Sequence, residues 1–220
     1  MKHDTKKFLG VGAAALTILA IGAIISMNAG NLNTTKNNKV DEKLLSHADS
    51  HSTANGPYDY KINLVEFGDY ECPGCAFMHQ VLQQILSEYP RKISLVYRNY
   101  LIHKTSKSAT LAAEAAGEQG KFWEMHDKLY ENQQIWSKKE ERADIFAEYA
   151  KELGLDMDKF NKSLTDQKME DRINLDQADY TALQIQPPHT PTIFINGIEY
   201  TGDLSYPAFK AAIEEALKKP

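Results

Sequence analysis

The sequence predicts an α/β fold in which a mixed four-stranded sheet is interrupted by an inserted helical domain. Three observations predict it. Two apolar, β-rich runs, Lys61 to Phe67 and Ile93 to Tyr97, flank a stretch with helical spacing. The chain from Arg98 to about Gln184 then reads almost entirely as helix. Finally, Thr192-Ile193-Phe194-Ile195 and Ile198-Glu199-Tyr200-Thr201 bracket Asn196-Gly197, a dipeptide that closes two-residue hairpins.

At 220 residues, 42% hydrophobic and 25% charged, the chain is long enough for one good-sized core with an inserted subdomain. Lys2, Lys6 and Lys7 precede an uncharged run from Phe8 to Ile25, which would span roughly 27 Å as a helix. Residues 1–26 are therefore expected to be an N-terminal membrane anchor, or a signal segment if cleaved. Met27-Asn28-Ala29 is a poor cleavage site, which favours the anchor. The lysines before the run would stay cytoplasmic, placing the rest of the chain outside. Residues 27–56, rich in Asn, Thr, Lys, Ser and His, read as a flexible linker in which His47 and His51 are merely solvated. Such a linker has an r.m.s. span of roughly 30 Å. The formal net charge of −5 argues against nucleic acid as a partner.

The folded part opens with Lys61 to Phe67, in which Ile62, Leu64, Val65 and Phe67 are apolar. The helix after it runs from Pro73 to about Tyr89, with Phe77, Met78, Val81, Leu82, Ile85 and Leu86 at helical spacing, and Pro90 ends it. With Ile93 to Tyr97 this makes a βαβ unit, whose parallel strands require the crossover. Helices follow over Ser108 to Gln119 and Lys121 to Asn132. A further one carries Ile145, Phe146, Tyr149 and Leu153, with Ser137-Lys138-Lys139-Glu140 as its capping box and Gly154 as its stop. Shorter helices are expected from Asp158 and from about Thr165 to Leu183. A last helix from about Tyr206, capped by Ser205, presents Phe209, Ile213 and Leu217 on one face. The predicted domains are a core over 57–100 and 185–220, with the helical insert over 101–184.

Cys72 and Cys75 are the chain's two cysteines, and they stand where the first strand turns into the first helix. A Cys-x-x-Cys pair in that position is a redox arrangement. At the first turn the Cys72 sulfur meets unsatisfied backbone N–H groups and the positive end of the helix dipole, which favour the thiolate. Cys75, one turn on, is then the resolving thiol. Pro73 suits the first helical position, where its missing N–H is not needed. Two other readings compete. A structural disulfide across so short a loop would restrict the unfolded chain little. A metal site on Cys72, Cys75 and His79 would need a fourth ligand, and no second Cys/His pair at matching spacing is present.

The run Phe67-Gly68-Asp69-Tyr70-Glu71-Cys72-Pro73-Gly74-Cys75 resembles the active site of the DsbA-like thiol:disulfide oxidoreductases of the thioredoxin superfamily, above all their membrane-anchored, extracytoplasmic branch. Glu114 to His126 resembles the helical domain this family inserts into its core, so the resemblance covers nearly all of residues 60 to 218. It implies a thioredoxin-like fold and dithiol-disulfide exchange; no cofactor is expected and no metal-ligand residue is assigned. It further implies that Pro191 of Thr190-Pro191 is the cis-proline facing the cysteines, with the Thr190 backbone free to pair with an extended substrate. Glu66 aligns with the acidic residue that relatives bury beneath the cysteines, a candidate to exchange a proton with Cys75. Two departures stand out. Pro73-Gly74 replaces the Pro-His of the best-known oxidase and would tune the potential, and His189 stands where relatives commonly carry glycine.

The function so implied is an extracytoplasmic oxidase that introduces disulfides into reduced secreted or surface proteins and is re-oxidised by a membrane redox partner. The cell membrane is the expected location, or secretion if the segment is cleaved. The alternatives are an extracytoplasmic reductase or isomerase, and a membrane-tethered metal-binding module.

Overall fold

A computed structural model describes residues 39–54, 59–139 and 141–219. In chain order they form α1 (Glu42–Leu45), β1 (His51–Ser52), β2 (Ile62–Gly68), α2 (Pro73–Glu88) and β3 (Ile93–Asn99). Six helices follow: α3 (Lys107–Gly117), α4 (Phe122–Glu131), α5 (Gln133–Trp136), α6 (Ala143–Glu152), α7 (Met157–Ser163) and α8 (Gln167–Ala182). The chain closes with β4 (Thr192–Ile195), β5 (Ile198–Tyr200) and α9 (Tyr206–Leu217).

The sheet runs β1-β3-β2-β4-β5. β2 and β3 are parallel, with Glu66 opposite Tyr97, and α2 is the crossover between them. β4 lies antiparallel to β2, and β5 antiparallel to β4. Between β4 and β5, Asn196 (φ 51°) and Gly197 (φ 83°) supply the two left-handed residues that a tight hairpin needs.

Alternation along β2 sorts its side chains to two faces. Ile62 and Leu64 pack with Met78, Leu82 and Ile85 of α2 and with Phe209 and Ile213 of α9. Val65 and Phe67 face the other way, onto Val96, Phe194, Tyr180 and Leu45. Each such apolar side chain, fully buried, contributes about 1.5–3 kcal/mol. A third cluster fills the helical insert, with Phe122, Met125, Leu129, Trp136 and Phe146 among its members, and it extends to Tyr70, Cys72 and Cys75. The cysteines thus sit where the insert and the sheet share a core.

Several expectations need correction. The sheet has five strands, the fifth being β1, which pairs antiparallel with β3. It comes from the segment expected to be a flexible linker, of which residues 39–54 are packed against the domain. Leu45 is buried, and Val40 N–H donates to Gly197 O at 2.9 Å. Nor are the two histidines there merely solvated. His47 Nε2 lies 2.5 Å from Asp179 Oδ2, and His51 stacks on Phe122 (ring centroids 3.5 Å apart) with Nε2 2.9 Å from the buried Glu114. The capping box at Ser137 does not form either, because Ser137 ends α5 and α6 begins at Ala143 behind Arg142. Ser205 precedes α9 without a side-chain capping bond.

No helix among the described residues is long and apolar enough to cross a membrane. The expected anchor, residues 1–26, lies outside the described residues.

Candidate active site

β2 ends at Gly68, where a Cβ would fall 2.6 Å from the buried Tyr97 ring, so the packing of that ring against the end of the strand requires glycine. The chain then turns through Asp69-Tyr70-Glu71, with Cys72 N–H donating to Asp69 O at 3.0 Å. Asp69, fully enclosed, gathers the loop. Its carboxylate accepts from the backbone N–H of Glu71, Ile102 and His103, each at 2.8 Å. Glu71 is tied to the insert through Arg142 Nη1 at 2.6 Å and through the Thr105 hydroxyl.

Cys72 is the N-cap of α2, in extended conformation, and Pro73 occupies the first helical turn. Cys75 N–H donates to Cys72 O at 3.1 Å. Gln133, at the start of α5, donates its amide to Tyr70 O at 2.8 Å and to Cys72 O at 2.9 Å, fixing the entry to the helix from the insert side. Opposite stands the Thr190–Pro191 bond, which is cis, as is Gln186–Pro187. A Cβ at Gly74 would lie 3.2 Å from Pro191 Cδ and 3.6 Å from Cys72 Sγ, so a side chain there would press the proline loop back by a few tenths of an ångström.

Both thiols are free in this structure. The Cys72 thiol donates to Thr190 O at 3.3 Å, while Cys75 Sγ, wholly buried, accepts from Asp69 N–H at 3.5 Å. Cys72 is held down to a pKa of about 5, chiefly by hydrogen bonding from Cys75, against the opposing cost of burial. The Thr190 side chain and the N–H groups of Cys75 and Gly74 add to the lowering. Thr190 Oγ1 is buried and completes no hydrogen bond within the described residues. The two observations agree if the hydroxyl turns to the sulfur once Cys72 ionises. Cys75 is pushed well above the ordinary thiol range by burial, by its hydrogen bond to Cys72 and by the charge of Glu66.

Glu66 shares the face of β2 that carries Ile62 and Leu64, beneath α2. It is enclosed, and neither carboxylate oxygen finds a hydrogen-bond partner among the described residues. Burial first, and the charge of Cys72 second, push its pKa up to about 8. A carboxyl that gains or loses a proton near neutrality therefore stands within electrostatic reach of both sulfurs. It hydrogen-bonds neither sulfur among the described residues, so a proton would pass between it and Cys75 by way of a bridging water.

Cys72, Cys75, Pro73, Gly74, Thr190 and Pro191 come together at the N-terminus of α2, with Glu66 under them. His189 does not join them: its Nδ1 lies 3.0 Å from Pro187 O, and its backbone is held by the Tyr180 hydroxyl. His79, weighed as a ligand alongside the cysteines, pairs instead with Asp127 at 2.9 Å. Sequence reasoning missed Asp69, whose spacing from Cys72 is an Asx-turn signal ahead of a helix, and Gln133, for which no local signal exists.

Comparisons with known proteins agree with this geometry. Residues 50–215 match the family model described as Thioredoxin. The Na(+)/H(+) antiporter NhaA 1 of Salinispora arenicola is 36% identical over 167 residues, which are 74% of this chain and 24% of that protein. The chain thus spans about a quarter of the length of that curated relative. The probable disulfide bond formation protein D of Bacillus cereus is 28% identical over 227 aligned residues, covering both chains in full. The oxidised crystal structure of BdbD from Bacillus subtilis superposes with a TM-score of 0.67 at 26% identity, covering 78% of this chain and 94% of that one.

Proposed function

Since the chain belongs to the thioredoxin family, in its DsbA-like group of thiol:disulfide oxidoreductases, we propose that it runs as an oxidase, introducing disulfides into reduced secreted or surface proteins on the outer side of the cell membrane. The single observation that carries this reading is the placement of the cysteines: Cys72 caps the N-terminus of α2 beside Cys75 and the Thr190–Pro191 loop, which holds its thiol down to about 5, while Cys75 is wholly buried and pushed well above the ordinary thiol range. Stabilising the Cys72 thiolate stabilises the reduced enzyme, and an enzyme more stable reduced is an oxidant. The uncharged run from Phe8 to Ile25 supports the membrane location, and the oxidising side of a membrane is where disulfides are made and kept.

The cycle starts from the Cys72–Cys75 disulfide. A substrate thiolate attacks Cys72 Sγ, forming a mixed disulfide, and Cys75 departs as a thiolate that draws a proton from Glu66 through a bridging water. A second substrate thiolate then attacks the substrate sulfur of the mixed disulfide and releases Cys72 as its stabilised thiolate. The substrate leaves carrying a disulfide, and the enzyme is left as a dithiol. A membrane redox partner accepts the two electrons and restores the Cys72–Cys75 bond. During attack, the backbone of Thr190 pairs with the extended substrate beside the sulfurs.

A reductase or isomerase is the second reading, and Gly74 is the observation that favours it, since glycine adds neither charge nor hydrogen bond beside Cys72. The reduction potential of the full chain in a glutathione buffer separates oxidase from reductase, and rescue of a scrambled disulfide protein separates oxidase from isomerase. We expect a value well above the roughly −270 mV of thioredoxin, together with catalysed disulfide formation in a reduced test protein. A potential at or below that value, with no such catalysis, would assign the chain to reduction.

A further inference from the structure

Away from the cysteines, α2 and α4 bring together a second group of reactive side chains. His79 lies one turn beyond Cys75 on α2, and His126 and Asp127 lie on α4. Their ligand atoms all fall within 4.8 Å of one another. Both histidines are buried, their ring centroids 5.3 Å apart, while Asp127 is partly exposed. A cavity of about 130 Å³ lies against all three, walled by Leu82, Leu95 and Trp123.

From these observations we propose that His79, His126 and Asp127 bind a divalent transition-metal ion, zinc being the one that best fits the donor set. Two imidazoles and one carboxylate suit zinc and its neighbours rather than calcium or magnesium, which take oxygen ligands. Three protein ligands leave the fourth tetrahedral position to a water in the cavity. Ligand atoms about 2.0 Å from a tetrahedral ion lie about 3.3 Å apart. His79 Nε2 and Asp127 Oδ1 are 2.9 Å apart, slightly closer than that, and with all three ligand atoms within 4.8 Å of one another small side-chain rotations about an ion would bring the set to tetrahedral spacing.

The surrounding groups are those that orient metal ligands. His126 Nδ1 is 3.0 Å from the Tyr70 hydroxyl, which leaves Nε2 as its ligating nitrogen. The Gln83 amide donates to Asp127 Oδ1 at 2.7 Å and steers that carboxylate. Such outer partners fix ring and carboxylate orientation in metal centres. An ion here would clamp the helix that carries the cysteines to the helical insert, and it would act on stability rather than on thiol exchange.

The test uses the full chain in detergent with Cys72 and Cys75 oxidised to their disulfide, so that no thiolate competes for metal. Zinc is titrated by calorimetry and cobalt by visible absorption, with melting followed in parallel. We expect one ion per chain, tetrahedral cobalt bands and a raised melting temperature, with binding weakened at least tenfold by His79→Gln and by Asp127→Asn. Asp127 is partly exposed, so its variant keeps the fold should the buried histidine variant not. The proposal is overturned if neither ion binds at millimolar concentration, or if binding persists undiminished in Asp127→Asn. Either result leaves the thiol chemistry of the preceding subsection untouched.

Discussion

The sulfur of Cys72 lies 3.3 Å from the carbonyl oxygen of Thr190, on the backbone that leads directly into a cis proline. The Thr190 hydroxyl is buried and finds no hydrogen-bond partner among the described residues, so it is available to turn to the sulfur when that carries a charge. In the reduced enzyme, alkylation of Cys72 should titrate with a midpoint near pH 5, while Cys75 stays unreactive up to pH 9 and beyond. Thr190→Val should move the Cys72 midpoint up by about one pH unit, the worth of one hydrogen bond to a charged atom. Equal labelling of both thiols at mildly acidic pH would contradict the assignment.

Stability should depend on redox state and pH together. Cys72 titrates near 5 in the folded enzyme, against an ordinary value of 9.0. A depressed pKa contributes stability that is fully present above the unfolded value and is lost as pH falls through the folded one. The disulfide form has no such term, so the melting-temperature advantage of the reduced form should grow as pH rises from about 5 towards 9. Glu66 acts in the opposite sense. Its pKa is raised from 4.5 to about 8, so its contribution is present at low pH and is lost as pH rises through 8. The burial part of that effect occurs in both redox forms and cancels in the difference, while the part due to the Cys72 charge belongs to the reduced form alone; calorimetric scans of the two forms would measure the difference. A gap that stays constant with pH is the contrary result.

Glu66→Gln removes the buried proton carrier while keeping its shape. We expect the rate of release of Cys75 from the enzyme disulfide to fall and to lose an inflection that burial of Glu66 raises above the ordinary carboxylate range. Stopped-flow reduction across pH reads both. An unchanged pH profile would leave Glu66 a bystander.

At Gly74, charge and space are separable. A Cβ there meets Pro191 Cδ at 3.2 Å, so Gly74→Ala presses on the proline loop without adding a polar group. Gly74→His adds the same pressure together with a donor beside the sulfur. We expect Gly74→His, relative to Gly74→Ala, to lower the Cys72 pKa and make the potential more oxidising. If the two variants share one glutathione equilibrium, the helix terminus and the Thr190–Pro191 loop alone set the potential.

His51→Ala should destabilise the fold by about 2–3 kcal/mol, because it removes the ring stacked on Phe122 and one partner of a buried carboxylate. Glu114 would retain Arg172 Nη1 at 2.7 Å and the Asn99 amide at 2.8 Å. Denaturant unfolding measures the loss, and a cost below about 0.5 kcal/mol, the range of ordinary surface changes, would mean the segment rests on the domain without supporting it.

The elements legible in the sequence are those whose signals are local. The apolar run into Phe67, the proline at the first turn of α2 and the Asn196-Gly197 hairpin each reflect backbone or side-chain preferences felt within a few residues. What escaped depends on distant partners. Leu45 and His47 are placed by Tyr180 and Asp179, more than a hundred residues away, and nothing in the polar stretch around them marks it as packed. Ser137 reads as the start of a helix because the four-residue α5 before it is too short to show a period. Gln133 reaches Cys72 only because the insert folds back over the loop. In the site, the cysteines and the dipeptide between them were legible, while the groups that hold the loop from the insert side were not.

The pairing of β1 with β3 bears on where this protein begins as a folding unit. β3 is a seven-residue, wholly buried strand whose outer side is met by β1 and by Thr53, which exchanges hydrogen bonds with Leu95 at 2.9 Å. A chain trimmed to residue 57, where the composition turns from polar to apolar, would bare the amides and carbonyls of β3 that His51, Ser52 and Thr53 now meet. Such an edge is a template for a second copy, so the trimmed protein would tend to self-associate through β3. The short segment around His51 therefore protects solubility, and a fragment meant to remain monomeric must reach back to about residue 39.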